Sequence, residues 1–281
     1  MKVHNTLPLL VECLSRWKNV PSLAQFNADY AYPISSVMGD FFEDFHEVLL
    51  DLNWNEYRAN ALKISPENEE KRFQKNLALV ETLFGFKLEG EVFLAGTFHS
   101  MDGFARFERG QHKVYLGLDE SHMHGNYLDI LTTHELTHVA RESRPEVWQG
   151  FGLDPKMSRA DYLEYQPVIE HVFGEGFSCV VSEILIPGEP SWKYAYQTAE
   201  SIRVVQKNTK VLDRIIKHEV QSKDGDYGTL YGIDPVFSQY VWGYEWVKKL
   251  LHEKANGDPR QLVSRCSGDF MTECMDFRLA L

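Results

Sequence analysis

Hydrophobic positions along this chain keep a helical period over most of its length and change to a period of two in one stretch only. The clearest helix begins at Ser65. That residue stands as N-cap, Pro66 occupies the first turn, and Glu67, Glu69 and Glu70 sit on the positive end of the helix dipole. Phe73, Leu77, Val80 and Phe84 then follow at helical spacing, and Gly85 supplies a left-handed stop, so the pattern predicts a packed helix. The rest of residues 1–90 also reads as helical.

From Glu91 to Asp119 the pattern shortens. Two β-type runs, Glu91 to Phe98 and His112 to Leu118, are separated by the turn formers Asp102-Gly103 and Arg109-Gly110, which predicts a small antiparallel sheet. Helical periodicity returns near Tyr127, with Pro145 stopping one helix and Pro167 and Pro235 starting others. The last strong helix, Val236 to Leu251, carries Phe237, Tyr240, Val241, Tyr244, Val247 and Leu251 on one face. The expected fold is therefore α+β and mostly helical, divided into an N-terminal helical region, 1–90, and a second region, 91–281.

Composition narrows the function. With 281 residues, 43% of them hydrophobic, the chain can bury a core, and no apolar run approaches the ~18 residues of a membrane span. A formal net charge of −12 disfavours nucleic acid, which is held by clustered cations. The apolar stretch Leu7 to Leu14 is broken by Glu12, followed by Arg16 and Lys18, and lacks a signal-cleavage pattern, so the expected compartment is the cytoplasm. Cys13, Cys179, Cys266 and Cys274 show no Cys-x-x-Cys spacing and are expected to be free, mostly buried thiols.

The chemistry concentrates in His134-Glu135-Leu136-Thr137-His138, an HExxH string. Four helical steps of ~100° leave both imidazoles on one face, one turn apart, able to bind one Zn²⁺. Glu135 sits beside them rather than in line, where a carboxylate can take a proton from water activated by the ion. Tyr127, Leu131, Val139 and Ala140 mark the helix as buried, where two bare histidines require partners. A catalytic zinc takes a third protein ligand. Downstream, Glu170, His171 and Glu175 all lie in one helical stretch, and Glu175 is flanked by glycines that permit close backbone approach to a neighbouring helix.

Here the residues resemble the gluzincin metallopeptidases, in which HExxH is followed by a second helix carrying a glutamate ligand, often in an Asn-Glu-Gly-Phe-like string. Gly174-Glu175-Gly176-Phe177 is similar to that string, and the resemblance implies Glu175 as third ligand, with His171 and Glu170 as rivals. Glu183, two turns further on, has no assigned role. The segment Pro145 to Gln166 would be an insertion at the edge of the site. Tyr240-Val241-Trp242-Gly243-Tyr244 resembles the Tyr-x-x-Gly-aromatic string of the aminopeptidase branch. That implies Tyr240 as donor to the oxyanion, with Tyr244 or Tyr231 as substitutes. The Gly-x-Met-Glu-Asn string of those aminopeptidases is missing, so exopeptidase specificity is not implied. The order sheet, HExxH helix, glutamate helix, tyrosine helix also looks like the predicted zinc-dependent protease family that shares these motifs. The resemblance implies a zincin-like core with the sheet packed on the HExxH helix, Zn²⁺ as cofactor, and a peptide or protein substrate. It also implies that the strand before the metal helix, Lys113 to Leu118, runs along the cleft.

Other residues carry plainer readings. His122 and His124 fit a solvated loop, and His99, His112, His218 and His252 are structural or exposed. Asp224-Gly225-Asp226-Tyr227-Gly228 reads as a turn, and Lys248, Lys249, His252 and Lys254 complement a helix dipole. Two further functions share the motif: hydrolysis of amides or esters that are not peptides, and a non-catalytic role in which zinc holds the helices of a binding or regulatory protein.

Overall fold

Val92, Phe93, Leu94 and Ala95 are all fully buried, and a strand without a solvent face belongs inside a sheet. The structure, a computed structural model, describes residues 1–38, 45–108, 110–119, 125–154, 166–222, 228, 230 and 238–281. Its sheet has four strands, β1 (Lys2–Asn5), β2 (Glu91–Ala95), β3 (Gly103–Glu108) and β4 (Gln111–Gly117), in the order β1-β2-β4-β3. β1 and β4 both run parallel to β2, and β3 runs antiparallel to β4. The sheet is thus mixed and not antiparallel. The two runs legible in the sequence do not form a hairpin, because Asp102-Gly103 leads into a further strand, β3, which turns back into β4 and leaves β4 parallel to β2. The opening residues, expected to be helical, supply an outer strand to the sheet formed by residues 91–117.

Register is fixed by an aromatic row. His4, Phe93, Tyr115 and Phe104 are paired directly across the four strands, with successive ring centroids 4.8, 4.8 and 4.7 Å apart. Such cross-strand stacking is a main stabilising contact of a sheet face. The opposite face turns toward helix: a Cβ at Gly103 would crowd Leu116 at 3.2 Å and touch Leu131 at 3.5 Å.

Six helices of the described residues matter here: α1 (Leu7–Arg16), α2 (Pro66–Phe84), α3 (Asn126–Glu142), α4 (Val168–Leu185), α5 (Ser201–Gln221) and α6 (Ser238–Ala255). α2 has the expected apolar face of Phe73, Leu77, Val80 and Phe84, and Gly85 ends it at φ 77°. α3 packs on β3, β4, α2 and α4, so the HExxH helix does lie against the sheet. α4 in turn packs on α6. Gly176 and Gly243 meet at that crossing, where a Cβ on Gly176 would overlap the Gly243 carbonyl group. The two strings singled out above, Gly174 to Phe177 and Tyr240 to Tyr244, therefore share one backbone contact. Pro145 both follows α3 and opens a short helix, Pro145–Gln149. No helix among the described residues is long and apolar enough to cross a membrane. Arg109, His122, His124, the run Asp224 to Tyr227, Tyr231 and Pro235 lie outside the described residues.

Candidate metal centre

α3 is buried along most of its length, and its polar side chains are satisfied internally. Thr132, Thr133 and Thr137 donate to the carbonyls of Leu128, Asp129 and Thr133, and Ser182 of α4 donates to Ile130. This closure leaves His134 and His138 with their ring nitrogens directed at α4.

There Glu175 meets them. His134 Nε2 is 3.1 Å from Glu175 Oε2 and 3.1 Å from His138 Nε2, and His138 Nε2 is 3.4 Å from the same oxygen. An ion bound tetrahedrally at ~2.0–2.1 Å separates its ligand atoms by about 3.3–3.4 Å, close to the edges of this triangle. Two imidazole nitrogens and a carboxylate oxygen are also the donor set that zinc favours, so the residues fit a divalent ion. Among the described residues His134, His138 and Glu175 are the one group so arranged. His171, the rival ligand, lines the adjoining cavity without joining the group.

The other rival, Glu170, is committed elsewhere. Arg141, one turn beyond His138, holds it bidentately at 2.6 and 2.7 Å, and the guanidinium also donates to the carbonyls of Leu262 and Arg265 at 3.0 and 2.9 Å. The same guanidinium lies 4.3 Å from the centre of the Phe173 ring. This buried pair joins α3, α4 and the C-terminal segment independently of any ion.

Charges in the cluster are strongly displaced. Burial alone would raise Glu175, but the His138 charge and the hydrogen bonds of both histidines hold it well below the usual carboxylate range. Burial would lower His138, yet the Glu175 carboxylate outweighs it and raises the imidazole to about 9. For His134 burial prevails and the pKa falls. Burial pushes Glu135 up to about 8, against the charge of His138 and a backbone hydrogen bond from Ala105. A divalent cation held by these three residues would pull Glu135 back toward its ionised form.

On the other side of His134, Cys179 Sγ lies 3.8 Å from Nδ1, the position from which a neighbouring group sets the tautomer of a metal-binding imidazole. All four cysteines are free and buried, as expected.

A cavity of about 550 Å³ opens over the cluster, within the usual range for small-molecule sites. Ala105, Tyr127, Leu131, Tyr196 and Tyr240 form part of its wall. Tyr240 lines this cavity, its ring centre 6.4 Å from that of His134. Tyr244, offered as a substitute, does not: its hydroxyl donates to Glu183 at 2.8 Å, and Lys248 donates to both, which gives Glu183 a structural role. The strand beside the cavity also differs from expectation. Lys113 to Leu118 includes most of β4, which is paired on both edges, whereas β3, an outer strand among the described residues, contributes Gly103, Phe104, Ala105 and Arg106 to the cavity wall.

Sequence reasoning missed Tyr196, whose ring meets His134 edge-on with centroids 5.0 Å apart. It lies in an irregular segment without periodicity, so no local signal marks it. Compared with models of known protein families, with curated proteins and with solved structures, the chain matches none.

Proposed function

We propose that this chain is a gluzincin-type metallopeptidase that cleaves peptide bonds with zinc at His134, His138 and Glu175. The observation that carries the reading is the convergence of those three donor atoms beside a buried, protonatable Glu135 at the floor of one cavity. Zinc bound there supplies a Lewis acid and lowers the pKa of the attacking water.

The remaining work falls to the chain. Glu135 accepts the proton of the attacking water and returns it to the leaving amine. β3, an outer strand among the described residues, runs along the cavity, where an extended peptide backbone can lie beside it. Tyr240, which lines the cavity, donates to the oxygen that gains charge. The Arg141–Glu170 pair and the Gly176/Gly243 crossing hold α3, α4 and α6 together without an ion, which favours a catalytic over a structural zinc.

Zinc-loaded and chelated protein, each offered unstructured proteins and a panel of small amides and esters, test this. Expected are peptide fragments from the zinc form alone and a chelated chain with native circular dichroism. Turnover confined to the small amides or esters, or unfolding on chelation, would replace the proposal with one of its rivals.

A further inference from the structure

Two unfavourable features coincide at Tyr196. Its backbone is left-handed, with φ 55°, in the turn after the short helix Ser191–Tyr194, where its N–H donates to the Lys193 carbonyl at 3.1 Å. Glycine or asparagine takes that conformation with little strain, and a bulky side chain does not. Its hydroxyl is buried without a hydrogen-bond partner among the described residues. Elsewhere this chain pairs its buried tyrosines: Tyr30 donates to Gly96, Tyr57 to Asp119 and Tyr194 to Ile186 at 2.8, 2.6 and 2.7 Å.

Backbone strain and an unpaired buried donor persist only where the surroundings enforce them, and such outliers gather at functional sites. The surroundings here are the metal cluster. The Tyr196 ring lies edge-on to His134 and to Tyr240, at centroid distances of 5.0 and 5.8 Å, and its phenol feels the charges of Glu135 and Glu175.

We propose that Tyr196 is a catalytic residue whose O–H donates a hydrogen bond to the substrate oxygen on which negative charge develops as the scissile carbonyl becomes tetrahedral. This rests on the peptidase reading above and adds a second donor to Tyr240. No proton is transferred; a hydrogen bond forms and strengthens with the charge. Because the hydroxyl has no partner among the described residues, no bond to them is exchanged when it engages, and its contribution falls on the transition state.

The test compares the zinc-loaded full chain with Tyr196→Phe in three measurements. They are steady-state cleavage, affinity for a phosphonamidate peptide that imitates the tetrahedral intermediate, and melting temperature with zinc content. Expected are a kcat lower by about 100-fold with KM within a few-fold, and a similar loss of phosphonamidate affinity but not of affinity for the cleaved product. Zinc content should hold, and melting temperature should hold or rise, because no bond to the described residues is removed. Equal phosphonamidate affinity in both proteins would overturn the assignment, as would a fall in melting temperature or zinc content, which would make the hydroxyl a structural group or a ligand. If the wild-type chain cleaves no peptide, the peptidase reading fails by itself, and the phosphonamidate ratio still decides the role of Tyr196.

Discussion

Arg141 Nε and Nη2 grip the two carboxylate oxygens of Glu170 at 2.6 and 2.7 Å, with the residues only 2% and 3% exposed. Removing one partner strands a charge in the interior. Glu170→Gln is expected to lower stability by about 3–5 kcal/mol in urea denaturation. Replacing both partners with apolar residues of similar volume should recover much of that loss. A Glu170→Gln midpoint equal to wild type would show that the pair is not buried as described.

The glycines on either side of Glu175 should behave oppositely. At Gly174 an added Cβ reaches only ordinary contact with the His138 ring, at 3.8 Å, so Gly174→Ala should gain roughly 0.5–1 kcal/mol from helix propensity. At Gly176 the methyl would overlap Gly243, and Gly176→Ala should destabilise by about 1–3 kcal/mol or more by forcing α4 and α6 apart. Thermal melts of the two variants decide the matter, and equal effects would contradict the crossing.

Ligand identity is separable from folding. Glu175→Ala should lose stoichiometric zinc, whereas His171→Ala should keep it, because His171 lines the cavity without joining the triangle. Elemental analysis after gel filtration reads both. Zinc lost from the His171 variant and kept by the Glu175 variant would exchange their roles.

His112 should make stability depend on pH. Burial lowers its pKa to about 4, and Glu142, 3.8 Å away, is beyond hydrogen-bond distance. The unfolded chain takes up this proton near pH 6.5 and the folded chain only near 4. The stability contributed by His112 is therefore complete above about 6.5 and is lost as pH falls toward 4, by up to about 3 kcal/mol. His112→Gln should flatten the decline between those pH values in denaturant titrations. A variant with the wild-type slope would place the effect elsewhere.

What the sequence disclosed was local. HExxH was legible because helical spacing fixes which side chains share a face, Glu175 because its glycine-flanked string resembles that of the gluzincins, and α2 because its stop and start signals lie beside its apolar stripe. The sheet was not, since β1 is four residues long and pairs with a strand 89 positions later in the register Lys2 to Glu91. Whether β4 lies at an edge depends likewise on β3, whose start coincides with a turn signal. Glu170 stood as a rival ligand because its partner Arg141 sits on another helix. Tyr240 and Tyr244 looked alike on one apolar face, and only the packing of α6 sends one to the cavity and the other to Glu183. Tyr196 gave no signal at all, because its role comes from what the fold brings against it.

The most direct measurement is peptide cleavage by wild type and Glu135→Gln, both shown by elemental analysis to carry one zinc per chain. Both proteins should bind the ion and only the wild type should release fragments, with the variant slower by at least about 100-fold. Cleavage by the zinc-loaded variant at the wild-type rate would contradict this.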